Sequence, residues 1–169
     1  MNSTTIKTSP RIAVSEIAKT SLVAALYVTV TMVLSVISFN IIQLRLSEMF
    51  NYLALYHKRY VVAVTAGVVI ANFMSPTWIL DVPIGGIATL LVLLICRRAT
   101  RNIESNVWKI GITAVIFTIS MFTVAAQLTI MLKVPFWPTY GMVALGEFTS
   151  MVIGGIVIHA LQKKIDFTI

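Results

Sequence analysis

Charged residues are scarce in this chain. Only 11% of its 169 residues are charged and 58% are hydrophobic, whereas about a quarter of the residues in a soluble domain carry charge. The mean hydropathy is +0.93. So few charges cannot solvate the surface of an ordinary soluble domain, and so many apolar side chains exclude a disordered or collagen-like chain. The composition therefore predicts an integral membrane protein built almost wholly of spanning segments, without room for an additional soluble catalytic domain.

Cysteines and catalytic motifs are also nearly absent. The one cysteine, Cys96, excludes an internal disulfide framework. The sequence has no G-x-S-x-G, no H-E-x-x-H and no glycine-rich phosphate loop. His57 and His159 are two turns or more from the acidic residues that matter below, which argues against a metal site. We therefore expect no enzyme activity, no cofactor and no metal, and an ATP-driven function would need other subunits.

Six apolar segments predict an all-α bundle in a single transmembrane domain, residues 1–169. They cover approximately residues 16–38, 46–56, 60–73, 83–96, 107–132 and 139–161. A full crossing needs ~20 helical residues at ~1.5 Å each. The second, third and fourth segments are shorter than that. We expect the polar groups near their ends to face a cavity, because lipid would leave them without hydrogen-bond partners.

The basic residues predict the orientation of these segments. Eleven of the 13 flank one set of connections: Lys7, Arg11, Lys19, Lys58, Arg59, Arg97, Arg98, Arg101, Lys109, Lys163 and Lys164. The opposite side holds only Arg45 and Lys133. Because basic residues concentrate in cytoplasmic loops, both termini are predicted to be cytoplasmic. Topology anchors also explain the net charge of +7 without any nucleic-acid partner.

Three acidic residues fall where a membrane protein ordinarily avoids charge. Glu48, Asp81 and Glu147 lie toward the predicted outer half of the bilayer, in the second segment, just before the fourth and in the sixth. An ionisable residue at such a depth marks a functional site or a buried pair. Arg45 stands three residues before Glu48, so an ion pair between them is an alternative to a ligand site. Glu147 has no basic neighbour in its own helix and needs a partner from elsewhere.

Further polar and aromatic residues are predicted at the same depth. They are Gln43, Asn51, Asn72, Trp78, Gln127 and Tyr140. Carboxylates and amides accept hydrogen bonds, and aromatic faces stack on flat rings or cations. The sequence thus predicts an outward-facing pocket for a small planar heterocycle rich in N–H donors, such as a nucleobase or a vitamin. For the tryptophans, the alternative is an interfacial belt.

Ser120 and Thr123 form a polar stripe with Gln127 on the fifth segment. Two interpretations remain open for the two hydroxyl residues. They could line the pocket, or they could bond back to their own helix or to a neighbouring one.

Two sequence elements resemble the QueT family of substrate-binding S components of energy-coupling factor (ECF) transporters. One is Ile42-Gln43-Leu44-Arg45-Leu46-Ser47-Glu48, followed by Ala71-Asn72. The other is Asp81 with Gly85-Gly86-Ile87-Ala88-Thr89-Leu90. Each element alone is weak, but together they are fairly specific, and the resemblance runs from the first segment to the last.

The resemblance implies a six-helix S component in the plasma membrane of a prokaryote. It implies a transmembrane coupling protein and two cytoplasmic ATPases as partners, and a queuosine precursor, a 7-deazaguanine base, as substrate. Small residues on the first helix, here Ser21, Ala24 and Ala25, would face the coupling protein. Another vitamin or nucleobase as ligand, or a structural scaffold without a ligand, remain as alternatives, with a membrane enzyme as a weaker one.

Overall fold

A computed structural model describes residues 10–35 and 44–168, with side chains from residue 14 onward. Every regular element in these ranges is helical. The elements are α1 (Pro10–Val33), a 3-10 helix (Leu46–Leu55), α2 (Arg59–Asn72), α3 (Trp78–Thr100), α4 (Asn106–Leu132) and α5 (Phe136–Leu161). The all-helical prediction is confirmed. Gln43 lies outside the described residues.

Four of these helices are long and apolar enough to cross a membrane: Val14–Val33 within α1, and all of α3, α4 and α5. The 3-10 helix has 10 residues and α2 has 14. Since ~20 residues are needed for an upright crossing, the second and third segments are short, as predicted.

The prediction that the fourth segment is short was wrong. We expected a start at about Pro83. The helix begins at Trp78 instead and reaches 23 residues. The helix continues past Pro83 because residues Asp81–Gly85 form a π-helical turn. Proline has no N–H to donate within a helix, and a wider turn accommodates that missing bond.

The connection between α4 and α5 is a tight one. Lys133 ends α4 in the left-handed conformation, with φ of 56°, and Pro135 precedes α5. The Pro135 carbonyl accepts hydrogen bonds from both the backbone N–H and the hydroxyl of Thr139, the latter at 2.8 Å. The chain thereby reverses within three residues, and α4 and α5 pack side by side as antiparallel neighbours.

The 3-10 helix lies in the middle of the bundle, against α1, α2, α3 and α5. Its Tyr52 is fully buried, and the Tyr52 hydroxyl donates a 2.8 Å hydrogen bond to the Met151 carbonyl in α5. Gly154 makes this approach possible, because a Cβ there would lie 2.7 Å from the Cα of Met49. The close contact fixes the 3-10 helix, and with it Glu48, against the helix that carries Glu147.

Candidate substrate-binding site

A cavity of about 60 Å³ lies among the 3-10 helix, α2, α3, α4 and α5. Its charged lining consists of Arg45, Glu48 and Glu147, and the remainder is mainly small or apolar. The other lining residues are Val68, Gly85, Ala88, Thr89, Val92, Phe117, Ser120, Met121, Thr123 and Val124.

Glu48 is held in place by protein donors. Its side chain is buried, and Oε1 accepts a 2.7 Å hydrogen bond from the Tyr27 hydroxyl of α1. Oε2 accepts a hydrogen bond from the side-chain amide of Asn51, one turn along the 3-10 helix. Each carboxylate oxygen can accept more than one hydrogen bond. Glu48 therefore presents an oriented acceptor to the cavity.

Glu147 is in a different situation. It is only 3% exposed, and it faces the same cavity from α5. Its Oε1 has no hydrogen-bond partner among the described residues. A buried polar atom left unsatisfied costs about 1–3 kcal/mol, and more when it is charged. A donor brought by a ligand would remove that cost, so Glu147 is the clearest ligand-facing acceptor in the described part of the chain.

A smaller cavity of about 40 Å³ adjoins the first, and the two share Arg45, Gly85, Ala88, Thr123 and Val124 in their linings. Its remaining lining residues are Asn72, Asp81, Ile84 and Gln127. The structure thus brings together four predicted site residues, Arg45, Asn72, Asp81 and Gln127, on the wall of the smaller cavity.

Asp81 accepts hydrogen bonds from three protein donors. Its Oδ1 accepts a hydrogen bond from the Gln127 amide of α4. Its Oδ2 accepts hydrogen bonds from the hydroxyls of Ser75 and Thr77, the latter at 2.6 Å. These bonds tie the α2–α3 connection to the start of α3 and to the second half of α4. Asp81 is therefore equipped to hold the cavity wall together.

Asn72 joins this cluster to Arg45. Its side-chain amide donates a 2.8 Å hydrogen bond to the Asp81 carbonyl, and its Oδ1 accepts a 3.4 Å hydrogen bond from Nη1 of Arg45. Gly85 allows this arrangement, because a Cβ there would lie 2.4 Å from Nδ2 of Asn72. The guanidinium that lines both cavities is thus positioned partly by the far end of α2.

Ser120 and Thr123 line the larger cavity, and both bond back to their own helix. The Ser120 hydroxyl donates to the Phe117 carbonyl at 2.7 Å, and the Thr123 hydroxyl to the Ser120 carbonyl at 2.9 Å. They flank Met121, where α4 is interrupted. Both interpretations therefore hold: the two hydroxyl residues line the cavity and also bond back to their own helix.

The two aromatic candidates lie elsewhere. Trp78 is 47% exposed, and its ring packs 5.9 Å from that of Phe73. Tyr140 is half-buried and stacks on Phe136 with ring centroids 6.0 Å apart. Neither residue lines either of the two cavities. The aromatic ring that does line the larger cavity is that of Phe117, which is buried.

Phe117 was not among the predicted site residues. It stands three residues before Ser120, so extending the stripe of Ser120, Thr123 and Gln127 back by one turn would have found it. Gly85 and Ala88 belong to the second sequence element that resembles the family, but nothing in their spacing marked them as lining residues. Their importance comes from the packing of α3 against α2, which places their backbone at the cavity wall.

The cavity therefore combines two carboxylates and one guanidinium inside an apolar helical bundle. No group of three or more His, Cys, Asp or Glu residues that could hold a metal ion occurs in residues 10–35 and 44–168. Ionisable groups at membrane depth, aimed at a cavity, are a mark of substrate pathways. Fold and site together define a membrane protein of the transport class that receives a small polar ligand.

Comparison with known proteins identifies the family. Residues 17–163 match the family model described as QueT transporter, so the chain belongs to this family. It is 41% identical over 162 residues to the queuosine precursor transporter QueT of Lactococcus lactis subsp. cremoris (strain MG1363), an alignment covering 90% of this chain and 95% of that protein. No solved structure matches. The chain is accordingly a multi-pass membrane protein of a transporter family and not an enzyme.

Proposed function

We propose that this chain binds a queuosine precursor, a 7-deazaguanine base, and carries it inward as the S component of an ECF-type importer. The observation that carries the proposal is the buried Glu147 oxygen, for which no described residue supplies a hydrogen-bond donor. The membership in the QueT transporter family and the name of the Lactococcus relative support this class of substrate.

The proposed ligand suits the charges of the cavity. A guanine-type base offers several N–H donors along one edge, and an aminomethyl substituent adds a positive charge. Glu147 and Glu48 would accept those donors, and Arg45 would offset part of the negative charge. Phe117 provides an apolar ring beside them. Asn51, Asn72, Asp81 and Gln127 would act mainly by holding Glu48 and the cavity wall.

Titration calorimetry on the purified chain tests the binding site. The ligand is the aminomethyl 7-deazaguanine, and the variants are Glu147→Gln and Glu48→Gln, with Glu104→Gln as a control in an exposed connection. Each cavity variant is expected to weaken binding by ~2–5 kcal/mol, as expected for a buried charge partner, and the control to leave it unchanged. Unchanged affinity in both cavity variants would contradict the site.

A ligand panel tests the substrate class separately. Purines, deazapurines and B vitamins are compared by thermal shift on the unmodified chain. Tight binding of a vitamin or of another base, with no response to deazaguanines, would support the proposed binding site but contradict the proposed substrate. No response to any of these compounds, together with no association with ATPase subunits, would favour the structural scaffold.

The proposed partners are a transmembrane coupling protein and two cytoplasmic ATPases. Ser21 and Ala25 are exposed on α1, and Ala24 beside them is half-buried. Small residues spaced four apart let another helix approach closely. An apolar groove lined by Leu22, Leu26 and further side chains lies next to them. This face is therefore our proposed contact with the coupling protein.

Co-purification tests the partner surface. The unmodified chain, expressed with a coupling protein and ATPases, is expected to recover all three. Ala25→Leu should reduce that recovery, because the added side chain blocks close helix approach. Gly141→Leu is the matched control, since the space around Gly141 is open. Equal recovery by both variants would move the contact elsewhere.

We further propose that both termini are cytoplasmic and that the cavity opens outward. The alternating helix directions put Arg45, Asn72 and Asp81 at the opposite end of the bundle from Arg97 and Lys163. Cys96 is fully buried, so cysteines introduced for Trp137 and Lys163 can be compared over a low background. An impermeant maleimide should label Trp137→Cys in intact cells and Lys163→Cys only after lysis, and the reverse pattern would invert the topology.

A further inference from the structure

A further groove lies on the surface of the bundle, between the first half of α4 and the last half of α5. This α4–α5 groove has a volume of about 590 Å³. Small residues form its floor: Gly111, Ala114 and Gly155. A Cβ at Gly111 would meet nothing within 4 Å, whereas one at Gly155 would lie 2.7 Å from Ile110. The two helices thus touch at Gly155 and leave an open trough beside Gly111.

The length of the groove matches one leaflet of a bilayer. It extends from Val107 to Val115 on α4, a rise of ~12 Å, and from Phe148 to His159 on α5, a rise of ~17 Å. Half of a hydrocarbon core is ~15 Å thick. Val115 and Phe148 at the deep end are 51% and 45% exposed. The groove therefore begins near the membrane surface and ends near the bilayer centre.

The basic side chains that line the groove stand at its surface end. His159 and Lys163 are the polar termini of the lining there. Nδ1 of His159 and the side-chain amide of Gln162 are 2.7 Å apart, and Gln162 accepts a hydrogen bond from the Tyr56 hydroxyl through Oε1. The amide therefore donates to Nδ1, which leaves the ring proton on Nε2. Among the described residues, none that lines the groove is acidic.

We propose that the α4–α5 groove binds an anionic phospholipid. One acyl chain would lie along Gly111 and Ala114, and the phosphate would bind at Lys163 and His159. Charge complementarity favours this ligand over a neutral lipid, because basic pockets between helices at a membrane surface attract anionic headgroups. It also favours a lipid over a partner helix, since an apolar helix has no need of cations at one end of its groove.

Native mass spectrometry of the purified full chain tests this proposal. Phosphatidylglycerol and phosphatidylcholine with the same acyl chains are titrated separately. The unmodified chain is expected to bind phosphatidylglycerol about fivefold more tightly, from the attraction of a lysine near the headgroup. Lys163→Gln should remove this preference, and Lys133→Gln, at the other end of the bundle, should keep it.

The apolar part of the groove has its own matched pair of variants. Gly111→Leu should weaken binding of both lipids about tenfold, because the added side chain fills the space of several methylenes. Gly141→Leu, at the other helical glycine with open surroundings, should not. If Gly111→Leu lowers the thermal midpoint, Ala160→Leu, on the exposed rim of the same groove, replaces it.

Two results would overturn the proposal. One is that phosphatidylglycerol and phosphatidylcholine bind with equal affinity and that no variant changes either affinity. The other is unchanged lipid binding by Gly111→Leu together with loss of a co-purifying polypeptide, which would make the groove a protein interface.

Discussion

The hydroxyl of Tyr27 in α1 donates a 2.7 Å hydrogen bond to Oε1 of Glu48 in the 3-10 helix. Gly67 of α2 makes room for this tyrosine, because a Cβ there would lie 2.8 Å from the Cβ of Tyr27. Three elements therefore cooperate to aim one carboxylate at the cavity. In the same cavity, Glu147 has an oxygen for which the described chain supplies no donor.

Tyr27→Phe should lower both stability and ligand affinity. The substitution leaves a carboxylate oxygen without its donor, which costs about 1–3 kcal/mol in stability, and it frees Glu48 to change orientation. The measurements are the thermal midpoint and the dissociation constant for the deazaguanine ligand. Tyr56→Phe is the control, because it removes a tyrosine hydrogen bond, to Gln162, at the opposite end of the bundle. If Tyr56→Phe loses as much ligand affinity as Tyr27→Phe, Tyr27 affects binding only through the stability of the fold.

Asp81→Asn and Gln127→Leu should be strongly non-additive. The two side chains bond directly to each other. Asp81→Asn removes the negative charge that strengthens this bond and Gln127→Leu removes its donor, so both changes act on the same contact. Coupling energies for such neighbours are about 0.5–3 kcal/mol. A double-mutant cycle on the free energy of unfolding measures the coupling, and Glu104→Gln paired with Gln127→Leu serves as the additive control. If Asp81→Asn abolishes ligand binding and leaves the thermal midpoint unchanged, Asp81 is instead a hydrogen-bond acceptor for the ligand.

Gly154→Ala should destabilise the protein severely. The new methyl group would lie 2.5 Å from the Cβ and 2.7 Å from the Cα of Met49, and the backbone of the 3-10 helix has no room to retreat. Overpacking of this kind costs about 1–3 kcal/mol or more. Gly141→Ala, in the same helix with open surroundings, should be neutral or slightly stabilising. Thermal melts of the two variants make the comparison, and similar midpoints would contradict the predicted close contact.

His57 should make stability fall in mildly acidic solution. Burial, and then the charge of Arg59, lower the pKa of His57 from its usual 6.5. Its Nδ1 accepts a 3.2 Å hydrogen bond from the backbone N–H of Arg59, which a proton on Nδ1 would break. Near pH 6.5 the unfolded chain therefore binds a proton at His57, whereas His57 in the folded chain stays neutral. The free energy of unfolding consequently decreases as the pH falls through that value. The charges nearby are those of Lys58, Arg59, Arg97 and, 3.9 Å from Nδ1, the Glu16 carboxylate.

Thermal midpoints of the unmodified chain and of His57→Gln, measured between about pH 5 and pH 7, check this prediction. The variant should show the shallower dependence on pH, because it lacks the group that titrates differently in the folded and unfolded states. Parallel curves for the two proteins would show that His57 contributes nothing to the pH dependence.

Much of the architecture could be predicted from local patterns. Runs of apolar residues placed the helices, and the short second and third segments followed from their lengths. The fourth segment was the exception. A π-helical turn lets the helix continue past Pro83, and sequence patterns do not predict such a turn. The same limit applied to the aromatic residues. Trp78 and Tyr140 have suitable chemistry, but a ring's contacts depend on helix rotation, which sequence spacing alone does not fix.

The sequence by itself determined that this is a membrane protein with carboxylates at unusual depth, because composition and hydropathy are sums over residues and need no tertiary contacts. Only the tertiary structure decided how those carboxylates differ. Asp81 meets donors from Ser75, Thr77 and Gln127, whereas one oxygen of Glu147 meets none among the described residues. These hydrogen bonds join groups that are distant along the chain, so sequence spacing does not predict them. They distinguish Asp81, which holds the cavity wall together, from Glu147, which can accept a donor from a ligand.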